Sequence, residues 1–568
     1  MSSNEQTTTP LPRDVQWALG WLAILCSIFV VNAVVALFGL HVVAVTLPVC
    51  VVLALSVLYQ SSKHTGRAMP IKRLVAIGVA FMIATVVLGY VVALIWEYSM
   101  WGRGFYTDAV VALADGWNPV YQGMGRLPEI VYRSGKAVWY LDASFYAFLG
   151  HYEMAKLHTV MFAIPTFLLA RHCFARLLGG HERLATLAGV LLLLNPVTLS
   201  QMFTYYDDAV LAFVVVCFLM LGYLCLNEGY LHNDVLTVMA LLWTFMLHMQ
   251  MGGWRAALIL GMAFIAFVAI FYKKQALKWL VIRAILVVFV AFVIVGFNPL
   301  IQNWIDTGNP ICLAFGDRAV NLTSAYMPWV LEGKSQPAQF FYSMMASPDT
   351  EVVQWNILLQ QLTAFVNSAY AAADVRLRGF GFIGGLLLVA AVVLFVLAIV
   401  APKRDVIDED GIYFDEEEAA GEDYENYLSP RVALVWMAVP IMLLVIFSPT
   451  PWWARTVPMF WAMIPLAVVA LCVRRGNGKS AVAKLLLVTA FLNCGLMAFS
   501  TLSYAASYTT DVKGHWERMN AEGLPSEADA RQHNEYMKNF KTWNTLKSKG
   551  EKERIEHGIW TKVEGIVK

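Results

Sequence analysis

The chain has 568 residues, of which 59% are hydrophobic and 14% charged, with a formal net charge of +1. Its mean hydropathy is +0.60. That balance excludes an ordinary soluble domain and points to a lipid bilayer as the solvent, while the net charge says nothing about nucleic acid, and none is expected as a partner.

Apolar stretches of roughly 17 to 24 residues recur from Trp17 to Tyr504, each long enough to cross a hydrocarbon core about 30 Å thick. They predict about 13 transmembrane helices in an all-α polytopic membrane domain over residues 1–503, followed by a polar helical segment over 504–568. The first stretch has no small-residue cleavage site behind it and reads as a retained anchor. Eight cysteines are scattered without a CxxC pair and read as small packing residues.

Lys and Arg in the short connections predict orientation. The stretches 61–73, 171–183, 273–278, 402–404 and 474–479 are basic and are assigned to the cytoplasm, together with the N-terminus. The acidic linker within 401–431 falls on the same side, because acidic residues weigh little in this rule. The stretches 97–155, 195–208, 298–378 and 448–456, and the C-terminus, are then extracytoplasmic, as in a multi-pass protein of the plasma membrane.

Polar chemistry concentrates on that outer side. The first large outer loop, 97–155, carries Asp108 and Asp115 with Arg133 and Lys136, and its apolar spacing predicts short interfacial helices. A carboxylate in a dry interface has a raised pKa and can take a proton from a hydroxyl near neutral pH. The second outer stretch ends in Asp207 and Asp208, at the mouth of the run AVLAFVVVCFLMLGYLCL. Two such carboxylates can bind sugar hydroxyls, ligate a divalent ion such as Mg or Mn, or simply favour a helix N-terminus through its dipole. Arg255, in MQMGGWRAAL, and Arg455, in SPTPWWARTVPMFW, each lie at an outer helix end. Either is a snorkelling arginine or a planar fork for a phosphate. The large loop 298–378 opens with NPLIQNWIDTGNP, which contains Asn303.

Four motifs, GWNPVY (116–121), FTYYDD (203–208), NPLIQNWIDTGNP (298–310) and WWARTVP (452–458), follow one another on the predicted outer side. Together they resemble the GT-C class of integral-membrane glycosyltransferases, in a bacterial branch that uses polyprenyl-phosphate sugars. The resemblance implies transfer of a sugar from a polyprenyl-phosphate donor to an extracytoplasmic acceptor such as a cell-envelope glycan, lipid or protein. It implies Asp108 as the base, with Asp115 as second choice. Arg455, Arg255, Lys136, Arg133, Asp207, Asp208, Asn303 and Trp453 are then candidates for the donor and its phosphate, with Asp207 and Asp208 also the candidate metal ligands. One departure stands out: WGRGFYTDAV lacks the Tyr-His pair that the branch often has there, and its Asp follows the Tyr. A flippase or transporter of lipid-linked saccharides, or a polysaccharide polymerase or ligase, would share the same aromatic and cationic surfaces.

Overall fold

A computed structural model describes residues 11–522, except 64–68, 100, 125–126, 228–231, 251, 272–273, 318, 320–326, 347–372, 374–375, 402–427 and 476–479. The expected acidic linker lies almost entirely outside the described residues, as does the C-terminal segment beyond 522.

All regular elements among the described residues are helical. In chain order they are α1 (Arg13–Leu37), α2 (Thr46–Lys63), α3 (Ile71–Val92), α4 (Thr107–Ala114), α5 (Glu129–Arg133), α6 (Ala137–Leu149), α7 (His158–Leu177), α8 (Glu182–Leu193) and α9 (Pro196–Gln201). There follow α10 (Asp208–Asn227), α11 (Asn233–Leu247), α12 (Gly253–Phe271), α13 (Lys274–Phe289), α14 (Gln302–Thr307), α15 (Gln336–Met345), α16 (Gly384–Val400), α17 (Pro430–Ile446), α18 (Met463–Arg475) and α19 (Ala481–Glu522).

Among the described residues, eight helical stretches are long and apolar enough to cross a membrane, against the about 13 expected from sequence. Four more apolar helices, including α11, α16 and α17, are shorter. The difference arises because apolar runs that look continuous in sequence give part of their length to turns and short helices at one end of the bundle. The first large loop does carry short helices, with α4, α5 and α6 all lying between residues 97 and 155.

The centre of the bundle is α10, apolar on every side and buried along its length after Asp208. It packs against α7, α11, α12 and α17. A helix that is hydrophobic all round belongs in an interior, so its N-terminus comes out at the middle of one end of the molecule. Close approach to α17 is possible because residue 222 is glycine: a Cβ there would lie 2.4 Å from the Trp436 ring. The Trp436 indole N–H donates to the Leu219 carbonyl, 2.8 Å away, across the same contact.

The chain alternates between the two ends, which brings residues 97–157, 195–207, 248–252 and 447–462 to the end where α10 starts. The opposite end carries the basic turns, with Lys63 and Lys72 between α2 and α3, Arg176 and Arg183 between α7 and α8, and Arg474 at the end of α18.

Candidate functional site

A cavity of about 860 Å³ opens beside the N-terminus of α10. Asp207, Asp208, Arg255, Trp453 and Arg455 all line it. Five of the candidates named from sequence therefore meet in one place.

Asp208 is the first residue of α10, and its carboxylate accepts from Arg455 Nε at 2.8 Å and from Gln201 Nε2 at 3.0 Å. Gln201 is held in turn by the Ala209 backbone N–H at 3.0 Å. Arg455 comes from a short turn at Ala454–Thr456 and lies over three rings, those of Tyr206, Trp101 and Trp453, at 4.3, 5.0 and 5.1 Å. A buried, stacked and ion-paired guanidinium is an organising cation, and its Nε is committed to the Asp208 carboxylate.

Asp207 differs. It is buried and lines the cavity, yet its carboxyl makes no hydrogen bond to another side chain among the described residues. Burial, and then the neighbouring Asp208 charge, push its pKa up to about 7, against the pull of Arg455 and His158.

Arg255 is the second cation of the cavity and, among the described residues, has no hydrogen bond or ion pair. It stands in the first turn of α12, whose dipole favours an anion. The connection leading into α12 contributes Gln250, whose Oε1 accepts from the Tyr106 hydroxyl at 2.7 Å while its Nε2 is buried without a partner among the described residues. The Trp254 indole N–H is likewise buried and unpartnered. Gly253 makes this tight turn possible, because a Cβ there would fall 2.1 Å from the Met246 carbonyl oxygen. The cavity wall continues into Leu258 and Met262 of α12 and Ile446 and Phe447 at the end of α17, all exposed on the outside of the bundle. The polar head of the cavity thus runs into an apolar groove that is open sideways.

The remaining candidates lie elsewhere. Asp108, half-buried in α4, sits near Tyr152 and does not line the cavity. Asp115 ends α4 and lines a separate recess of about 410 Å³ with His41 and Tyr146. Lys136 is buried, donates to the Tyr132 and Ser134 carbonyls at 2.8 and 3.0 Å, and has its pKa pushed well below the ordinary lysine value by burial. Arg133 pairs with Glu129 and Asp306 at 2.8 and 3.4 Å. Asn303 accepts from Arg133 at 3.3 Å and donates to the Arg133 and Pro310 carbonyls. Arg133 and Asn303 fasten the first loop to the segment around α14, while Lys136 is tied within the loop.

As a metal site the Asp207–Asp208 pair is a poor fit. Asp208 is engaged by Arg455 and Gln201, and among the described residues no group of three His, Cys, Asp or Glu gathers as an ion's ligands. With Asp208 paired to Arg455, Asp207 is the cavity carboxylate left for an ion, which would take its other oxygens from water and a substrate phosphate.

Two buried polar groups lie behind the cavity, and of their members sequence marks Asp142 as a charge of the first outer loop, without its burial or its partner. Glu97 accepts from the backbone N–H groups of Ser99 and Tyr205 at 2.8 and 2.7 Å, and burial pushes its pKa up to about 7. Beside it, Glu153 pairs with Lys156. Asp142 and His158 form the second group, bonded at 2.8 Å with both side chains fully buried. Compared with known proteins, the chain matches no protein-family model and no curated protein sequence.

Proposed function

We propose that this chain is an integral-membrane glycosyltransferase of GT-C type, which moves a sugar from a polyprenyl-phosphate donor to an acceptor hydroxyl outside the cytoplasm. The observation that carries the reading is the cavity. It joins Asp207, whose carboxyl makes no side-chain hydrogen bond, and Arg255, which makes no hydrogen bond or ion pair among the described residues, at the head of an apolar groove open to the outside of the bundle. A lipid phosphate has that shape, with a charged, hydrogen-bonding head on an apolar chain. The basic turns at the opposite end support an extracytoplasmic site.

In the proposed step the acceptor hydroxyl oxygen bonds to the anomeric carbon as the bond from that carbon to the phosphate oxygen breaks. The hydroxyl proton passes to Asp207, and the phosphate leaves with the bonding electron pair. Its charge is met by Arg255, the α12 N-terminus and the free N–H groups of Gln250 and Trp254. Asp207 therefore takes the role of base that the resemblance implied for Asp108. Arg455 pairs with Asp208 beside it, and no step runs through a metal.

The test uses purified full-length chain in lipid nanodiscs with a panel of polyprenyl-phosphate sugars carrying a radiolabelled sugar. Release of free polyprenyl phosphate, lost in Asp207→Asn and insensitive to chelator, is expected. Movement of the labelled lipid across a vesicle bilayer without cleavage of the sugar–phosphate bond would instead establish the flippase reading.

A further inference from the structure

We infer that Asp142 and His158 are positioning residues for Asp207, holding the peptide that carries it and setting a positive charge behind its carboxyl. The inference rests on Asp207 acting as the base.

His158 begins α7 and has both ring nitrogens engaged. Nε2 lies 2.8 Å from the carbonyl oxygen of Tyr206, the residue immediately before Asp207. An amide carbonyl only accepts, so Nε2 carries a hydrogen. Nδ1 lies 2.8 and 3.0 Å from the two carboxylate oxygens of Asp142 on α6. With Asp142 ionised, the N–H it accepts from Nδ1 makes the ring an imidazolium and the fully buried pair a dipole. Its positive end faces Asp207 and its negative end faces away.

The peptide from Tyr205 to Asp207 has little other freedom. The Tyr205 N–H is held by Glu97 and the Tyr205 hydroxyl by the Tyr152 carbonyl, at 2.7 and 2.6 Å. Tyr206 accepts at its hydroxyl from the Trp101 backbone N–H and presents its ring to Arg455. His158 supplies the remaining tie, on the carbonyl side. The charged and titratable groups facing Asp207 are Asp208 on α10, Arg455 from its turn, His158 from α7 and the Tyr106 phenol from the first loop. Those facing His158 are Asp142 and Asp207. Arg455 pairs with Asp208 and also pulls on Asp207, and His158 is the second cation that acts on Asp207, through the backbone it grips.

The experiment is an infrared pH titration of the full chain in nanodiscs, without substrate. The protonated-carboxyl band of Asp207 is assigned by its disappearance in Asp207→Asn. Removing the positive charge in His158→Gln, or removing its counter-ion in Asp142→Asn so that the ring becomes neutral, should each move the midpoint upward by about one pH unit. Asp108→Asn should leave it in place. Asp142→Asn preserves shape and keeps the test decisive if His158→Gln does not fold. An unmoved midpoint in a variant that elutes and melts like the parent overturns the inference. Because no substrate enters the measurement, absence of glycosyl transfer would defeat the proposed function while leaving this titration intact. An unmoved midpoint beside normal transfer would do the reverse.

Discussion

At the scale of single residues, the two adjacent aspartates have different tasks because their partners differ. Asp207→Asn keeps size but cannot take a proton, so turnover should fall by about 10² to 10⁴ with donor KM little changed, whereas Asp108→Asn should retain near-parental turnover. A base works only when deprotonated. Turnover should therefore rise with pH through about 7, where the Asp207 carboxyl titrates, and fall away below it. The same raised value has a stability consequence of opposite sense. A carboxyl whose folded value exceeds its unfolded one stabilises the fold in acid, and that contribution is lost as pH rises through about 7. Thermal melting should thus show Asp207→Asn more stable than the parent above neutrality, by roughly 2 to 4 °C, and not in acid. Arg255→Ala removes a charge-assisted bond worth about 1.5 to 3 kcal/mol and should raise donor KM roughly tenfold to a hundredfold. Arg455→Lys should mainly lower the melting temperature, since it strips the stacking on three rings and weakens the tie to Asp208. Sequence made Asp207, Asp208, Arg255 and Arg455 legible because each is a charge at the end of an apolar run. It hid the pairing of Arg455 with Asp208 across 247 positions. It also made Lys136 look like a free cation, although neighbouring carbonyls already satisfy it.

At the scale of elements, the cavity depends on how closely α10 and α17 approach. Gly222→Val would drive a branched side chain into the Trp436 ring and separate the two helices. The expected result is a lower melting temperature together with loss of donor binding, read by thermal melting and by binding of a fluorescent lipid phosphate. Trp436→Phe, which gives up only the 2.8 Å bond to Leu219 and part of the ring, should be milder. Most spans were legible, because composition alone identifies a helix that must bury its backbone polar groups in lipid. The phase of α4 was not. Eight residues are too few for apolar spacing to say which way Asp108 turns, and packing of α4 against α6 decides it.

At the scale of the whole molecule, the separation of buried ionisable groups at one end from basic turns at the other makes orientation testable. All eight cysteines are buried, so background labelling by a membrane-impermeant thiol reagent should be low. In intact cells a cysteine at exposed Gly333, on the site side, should react, and one at exposed Arg183 should not. The reverse pattern would put the cavity in the cytoplasm. The long α19 adds a brace to the site end: its 42 residues extend roughly 63 Å, about twice the hydrocarbon thickness. Beyond the apolar part, Thr509 accepts from the Trp96 N–H at 2.9 Å, and the Tyr508 ring lies under Arg103 at 5.5 Å. Trp101 of the cavity sits between these two fastenings. The groove between α12 and α17, finally, alters what concentration means for this protein. A ligand that arrives sideways is dissolved in two dimensions, so saturation depends on its mole fraction among the lipids and not on moles per litre of suspension. Adding inert phospholipid at fixed protein and donor should slow the reaction by surface dilution, while adding buffer should leave it unchanged.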